Sequence, residues 1–191
     1  MKRFLFAALL LAPAGCRREE TADTELAPAK AVASGQKLIT FEEKTGAFSC
    51  FAPADWKMLE ADGSAGSFIQ VFGPMEGPDR GKTSISVNRY PNVVDKIRTP
   101  QELWSGFKLT DKKMSALEKT TIAGREFPAF HYEAPQHPPN GWKVLYMNRV
   151  DTVMIPFEGG FFEITHSAPA DSYKDTLPVF EAMVAGFQPK R

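Results

Sequence analysis

The chain has 191 residues, 23 basic and 23 acidic, and no formal net charge. Nucleic-acid binders gain affinity from dense positive charge, so this balance argues against a nucleic-acid partner. With only two cysteines in the chain, a disulfide framework is excluded as well.

Met1-Lys2-Arg3 is a short positive region, Phe4 to Leu11 an apolar run, and Pro13-Ala14-Gly15 a small-residue stretch before Cys16. That is the layout of a secretory signal, too short to span a bilayer. Ala14-Gly15-Cys16 resembles a bacterial lipobox, with Pro13 where such signals usually carry leucine. The resemblance implies that residues 1–15 are removed and that Cys16 carries acyl chains, which hold a protein stably on a membrane surface. The expected product is a membrane-anchored lipoprotein facing the periplasm or the cell exterior. Arg17 is not the aspartate that favours inner-membrane retention, so the resemblance points to the outer membrane. Losing Lys2 and Arg3 leaves basic side chains two short of acidic ones.

Residues 16–37 are the lipidated cysteine and a tether. From Arg17 the stretch is rich in Ala, Glu, Pro and Thr, holds no aromatic residue, and cannot bury enough apolar surface to fold. Residues 38–191 hold all three tryptophans and most of the phenylalanines, enough for one domain.

The domain is expected to open with a strand at 47–52, where "AFSCFAP" places Cys50 as a small buried hydrophobe. Strands follow at 67–72 and 84–90, joined by the turn-rich loop "EGPDRGKTS". Gly81-Lys82-Thr83 ends like a phosphate loop, but Glu76 stands where a glycine is required, and residues 84–90 alternate like a strand where a helix should start. "TPQELWSGF" has Thr99 as N-cap, Pro100 at the first helical position and Glu102 closing a capping box, with Leu103 and Phe107 on one side. "KLTDKKMSALEK" then reads as a solvated, charged connection. A strand at 126–133 puts His131 and Glu133 on one side, opposite Phe130 and Tyr132.

"WKVLYMN" is apolar on both sides, and the second face of "TVMIPFEGGFFEITH", with Met154, Phe161, Glu163 and Thr165, is mixed rather than polar, which implies a sheet covered on both faces. Gly159-Gly160 reads as a two-residue turn pairing Phe157 with Phe162, Ile155 with Ile164 and Val153 with His166 on the core face. "TLPVFEAMVAGF" gives a last helix with Phe180, Met183 and Val184 on one stripe and Gly186 as its stop. The order predicts an α+β sandwich with a mostly antiparallel sheet.

"GAFSCFAPADW", "SISVNRYP" with the capped helix after it, "TIAGREFPAFHYE" and "FFEITHSAPADSYKDTLPVFEAMVAGF" resemble the PsbP-like domains, over about residues 38–188. The resemblance implies an α/β/α sandwich whose central, mostly antiparallel sheet is covered by helices on both faces. Its layout is similar to that of the cyanobacterial lipoprotein members, and no metal-binding motif carries over.

Nothing in the sequence assembles a catalytic centre. His166, Ser167 and Asp171 are the residue types of a hydrolase triad, but His166 and Ser167 are strand neighbours and point to opposite faces. Half a metal site at His131 and Glu133 lacks further converging ligands. No metal, cofactor or catalytic residue is therefore expected. Candidate binding residues are His137, Asn140 and Trp142 in the "QHPPNGW" loop, because loops on rigid sandwiches commonly carry binding, with core packing as the competing role for Trp142. The expectation is a non-catalytic, lipid-anchored envelope accessory protein whose domain binds another protein. The alternatives are a small-ligand carrier or, in a photosynthetic source, a photosystem II assembly or accessory factor.

Overall fold

A computed structural model describes residues 35–63, 66–91, 97, 99–108 and 113–190. The expected signal, Cys16 and nearly all of the tether lie outside these residues. Ten strands are present among them: β1 (Leu38–Glu42), β2 (Phe48–Pro53), β3 (Lys57–Gly63), β4 (Gly66–Gly73), β5 (Thr83–Pro91), β6 (Glu118–Ile122), β7 (Arg125–Gln136), β8 (Tyr146–Phe157), β9 (Gly160–Pro169) and β10 (Gln188–Pro189). Two helices, α1 (Pro100–Lys108) and α2 (Tyr173–Ala185), accompany them.

Seven strands form one sheet in the order β3-β4-β5-β9-β8-β7-β6, and β1-β2-β10 form a small second sheet. Every described strand pair is antiparallel. Alternation decides which side chains go where. Ile69, Val71, Ile85, Val87, Val153, Ile155, Phe162 and Ile164 all point to one face, where Val179, Phe180, Met183 and Val184 of α2 and Phe48 and Cys50 of β2 bury them. Phe48 stacks on Phe187 with ring centroids 4.9 Å apart and meets Phe162 edge-on at 5.5 Å, which joins the small sheet to the large one.

The opposite face carries Phe130, Met154 and Phe161, buried under Leu103 of α1, with Trp104 and Phe107 packed alongside. The sheet is thus covered on both faces. The capping box of α1 is formed: the Thr99 amide donates to Glu102 Oε2 at 3.0 Å and the Glu102 amide donates to Thr99 Oγ1 at 3.2 Å. Gly186 ends α2 with its amide donating to the Ala182 carbonyl. A side chain at 186 would meet the Phe51 ring at 2.1 Å, so close approach rather than an unusual φ demands glycine there.

The β8–β9 register differs from the expected one by two residues. Phe157 pairs with Gly160, Ile155 with Phe162 and Val153 with Ile164, so Glu158-Gly159 is the turn. Within the turn Gly159 takes a φ of +97°, while Gly160, at φ +156°, belongs to β9 and its Cα faces the Tyr90 carbonyl, where a Cβ would lie 2.1 Å from the oxygen. A slip of two preserves which residues face the core. "WKVLYMN" also departs from expectation: β8 begins only at Tyr146, and Trp142 to Leu145 precede it exposed rather than packed. The charged connection is partly structured too. Met114 bridges to Tyr132, and Met114 and Leu117 pack on the α1 cluster.

Candidate functional surfaces

Three places combine polar or exposed apolar groups in ways that packing alone does not require. The first is the loop from 137 to 145 between β7 and β8. Leu145 donates its amide to the Gln136 carbonyl at 2.8 Å, closing the loop, and Gly141 donates to the Pro138 carbonyl at 3.3 Å. His137 Nδ1 lies 3.0 Å from the Trp142 carbonyl oxygen. His137, Asn140 and Trp142 therefore come together, lining with Pro139 and Gly141 a shallow depression of about 420 Å³. Trp142 is 95% exposed, which rules out its core role, and Leu145 (57%), Val144 (45%) and Met147 (37%) are exposed beside it.

The second is a groove of about 290 Å³ between β6 and α2. Ala129, Val153, Leu177 and Phe180 give it an apolar floor, and Lys119, His131, Arg149, Asp151 and Glu181 a charged rim. Strand register places Asp151 directly between His131 of β7 and His166 of β9. Burial raises the Asp151 carboxyl above its ordinary value, against the pull of Arg149, whose Nε is 3.6 Å from Oδ2, and of His131. The Arg149 guanidinium also lies over the Tyr173 ring at 4.5 Å. His131 and Glu133 are exposed.

His166 is fully buried, its Nε2 2.9 Å from Thr176 Oγ1 and its ring stacked on Phe180 at 5.4 Å. Burial first, and Arg149 second, push its pKa down to about 4. Ser167 points to the other face, where its hydroxyl accepts from Asn148 Nδ2, and Asp171 is exposed. The three do not form a triad. Cys50 is buried and its thiol pushed up to about 12 by desolvation, which makes it inert as a nucleophile.

The third is Glu163, buried on the α1 side of the sheet. Asn88 Nδ2 and Tyr90 OH each donate to Oε2 at 3.1 Å, and Thr165 Oγ1 donates to Oε1 at 3.3 Å. Desolvation still raises its pKa, because these three bonds only partly replace water. Among the described residues no group of three or more His, Cys, Asp or Glu is placed to hold a metal ion. No sequence motif marks Glu163, Arg149 or Asp151 as a site; strand register sets Glu163 beside the apolar Met154 and Asp151 between two histidines.

No family model and no curated protein matches the sequence. Solved structures do match by shape. Cyanobacterial PsbP from Synechocystis sp. is 12% identical, with TM-score 0.47, over 81% of this chain and 94% of its own. LpqN, described as involved in cell envelope biogenesis of Mycobacterium tuberculosis, is 16% identical, with TM-score 0.43, over 81% and 91%. The Ran-binding protein Mog1p of Saccharomyces cerevisiae is 14% identical, with TM-score 0.54, over 81% and 96%. At such identities similarity speaks to fold alone, and the Mog1p superposition, which exceeds 0.5, carries that conclusion: the described domain has the PsbP-like fold.

Proposed function

We propose that this chain is a lipid-anchored, non-catalytic accessory protein of the cell envelope, held through acyl chains on Cys16, whose domain binds a segment of an envelope protein. The observation that carries the reading is the groove beside β6. Among the described residues this strand is an edge of the large sheet, paired with β7 alone, and beside it lie the apolar floor and charged rim. An extended segment can add to such an edge by main-chain hydrogen bonds while its side chains fill the groove. No described helix is long and apolar enough to cross a membrane, which fits attachment through the N-terminal cysteine.

A photocrosslinking residue at the exposed Thr121 of β6 tests the reading in the intact chain, in its native membranes. One protein adduct of defined mass is expected from position 121 and none from Lys57 on the opposite edge. Absence of any adduct at 121, with no partner retained after mild solubilisation, refutes protein binding. The groove also suits a small ligand, being close to the lower limit of ordinary ligand pockets. A small molecule of constant mass that co-purifies in native mass spectrometry, without a protein adduct, favours this second reading.

A further inference from the structure

Trp142 stands almost wholly in water on a loop that its own hydrogen bonds hold in shape, and Leu145, Val144 and Met147 are exposed with it. Strand register fixes where this apolar tip lies. The start of β8 pairs with the end of β9 (Asn148 with Pro169), the end of β9 lies against the start of β5 (Ser167 with Ser84), and Thr83 pairs with Gly73 at the end of β4. From there Phe72 pairs with Lys57 at the start of β3, the turn at 54–56 leads to the end of β2, and Pro53 pairs with Leu38. The Lys37 carbonyl accepts from the Ala54 amide, so the described chain begins at the same end of the sandwich as the tip.

The roughly twenty residues between Cys16 and Gly35 span at most about 65 Å even fully extended. The tether thus joins the domain at the same end as the tip, within that reach of a membrane holding Cys16. Charge near the tip is mixed: Lys82, whose Nζ lies over the Tyr146 ring, pairs with Asp79, and Lys143 on the loop is matched by Asp171, next to Ala170 whose amide bonds the Met147 carbonyl. Attraction to anionic lipid is weak here, whereas an indole ring with aliphatic neighbours suits the boundary between headgroups and acyl chains.

We propose that the loop carrying Trp142 and Leu145 is a membrane-contact element. It dips into the interface of the bilayer to which Cys16 holds the chain and sets the domain end-on to that surface. The groove, floored by the middle of β7 and β8, then stays clear of the lipid for its partner. The inference takes the nearby membrane from the anchored reading, and its test separates the two.

Full chain extracted from membranes, with its intact mass recording acyl chains on Cys16, is placed on phosphatidylethanolamine–phosphatidylglycerol vesicles bearing brominated acyl chains. Bromine is expected to quench the Trp142 emission, and Trp142→Phe to remove that quenching, leaving the signal of Trp56 and Trp104. Leu145→Lys should weaken the quenching with the far-UV spectrum unchanged, and high salt should not abolish it. Unquenched Trp142 on vesicles bearing the acylated chain overturns the proposal. So does quenching lost in high salt, or shielding of Trp142 only when native membrane proteins are added, which would assign the loop to a protein. Quenching by a chain whose Cys16 is unmodified supports the loop's role and refutes the anchor alone.

Discussion

His166 should give the domain a strong dependence on mildly acidic pH. The imidazole is buried between Tyr173 and Phe180, and its pKa is lowered from 6.5 to about 4. In the unfolded chain the ring meets water and regains the ordinary value. Below pH 6.5 the unfolded state therefore takes up a proton that the folded state refuses. The stability His166 contributes is complete above pH 6.5 and is lost as pH falls toward 4. Between pH 7 and pH 4.5 the linkage relation gives a loss of about 2.5 kcal/mol, a large share of the roughly 5–15 kcal/mol that holds a domain folded. Asp151 and Glu163 act in the opposite sense, because raised carboxyl values favour the folded state as pH falls. Urea denaturation of wild type alone would mix these effects. The comparison that isolates His166 is the pH-induced change in wild type minus that in His166→Gln, expected to be about 2.5 kcal/mol. Equal pH dependence in both proteins refutes the reasoning. So does an NMR titration in which the His166 ring protonates near 6.5 in the folded state.

Glu163→Gln should stabilise the domain at pH 8 by on the order of 1 kcal/mol, because it removes a buried charge that only neutral groups solvate among the described residues. The gain should vanish as pH falls and the wild-type carboxyl protonates, and urea midpoints across that range test it. Gly186→Ala should cost about 1–3 kcal/mol through the clash of its Cβ with the Phe51 ring. Combining it with Phe51→Ala should cost less than the two single changes added, and strict additivity in denaturation would count against that contact. Trp142→Ala should shift stability by no more than about 0.5 kcal/mol, since a side chain so exposed contributes little packing; a thermal scan showing a larger loss would place the ring in a contact the fold does not display.

Much of the architecture was legible because its signals are local. The α1 capping box needs only Thr99 and Glu102 three residues apart, and the formed hydrogen bonds match that spacing. Alternation along β9 separates Phe162 and Ile164 from Phe161 and Glu163, and the two sets enter different buried layers. The elements that escaped lack such marks. β3 carries Glu60 and Ala61 along an exposed edge, and β6 reads "EKTTI", with no alternation of apolar and polar residues. Edge strands pack against little and are held by main-chain pairing with the next strand of a hairpin, so their own side chains need not advertise them. β1 differs, since "LITFE" is rich in strand formers, and its pairing with β2 puts it at the edge of the small sheet.

The β8–β9 register shows how a correct face can accompany an incorrect pairing. Two adjacent glycines satisfy a turn needing two positive φ angles, but they satisfy equally a turn needing one, with the second glycine kept for a neighbouring strand. The choice depends on β5, whose Tyr90 carbonyl occupies the space a Cβ at 160 would fill, and that contact spans seventy residues of chain. Trp142 was obscure for a related reason. Composition alone cannot say whether an apolar run continues a strand into the core or leaves it, since Val144 and Leu145 suit either. The Leu145 amide bonding to Gln136 settles the matter by closing the loop before Tyr146, which turns the preceding apolar residues outward. Burial thus follows from where the pairing of β7 and β8 stops, and this exposed apolar surface is created by the end of a ladder rather than by any residue preference along it.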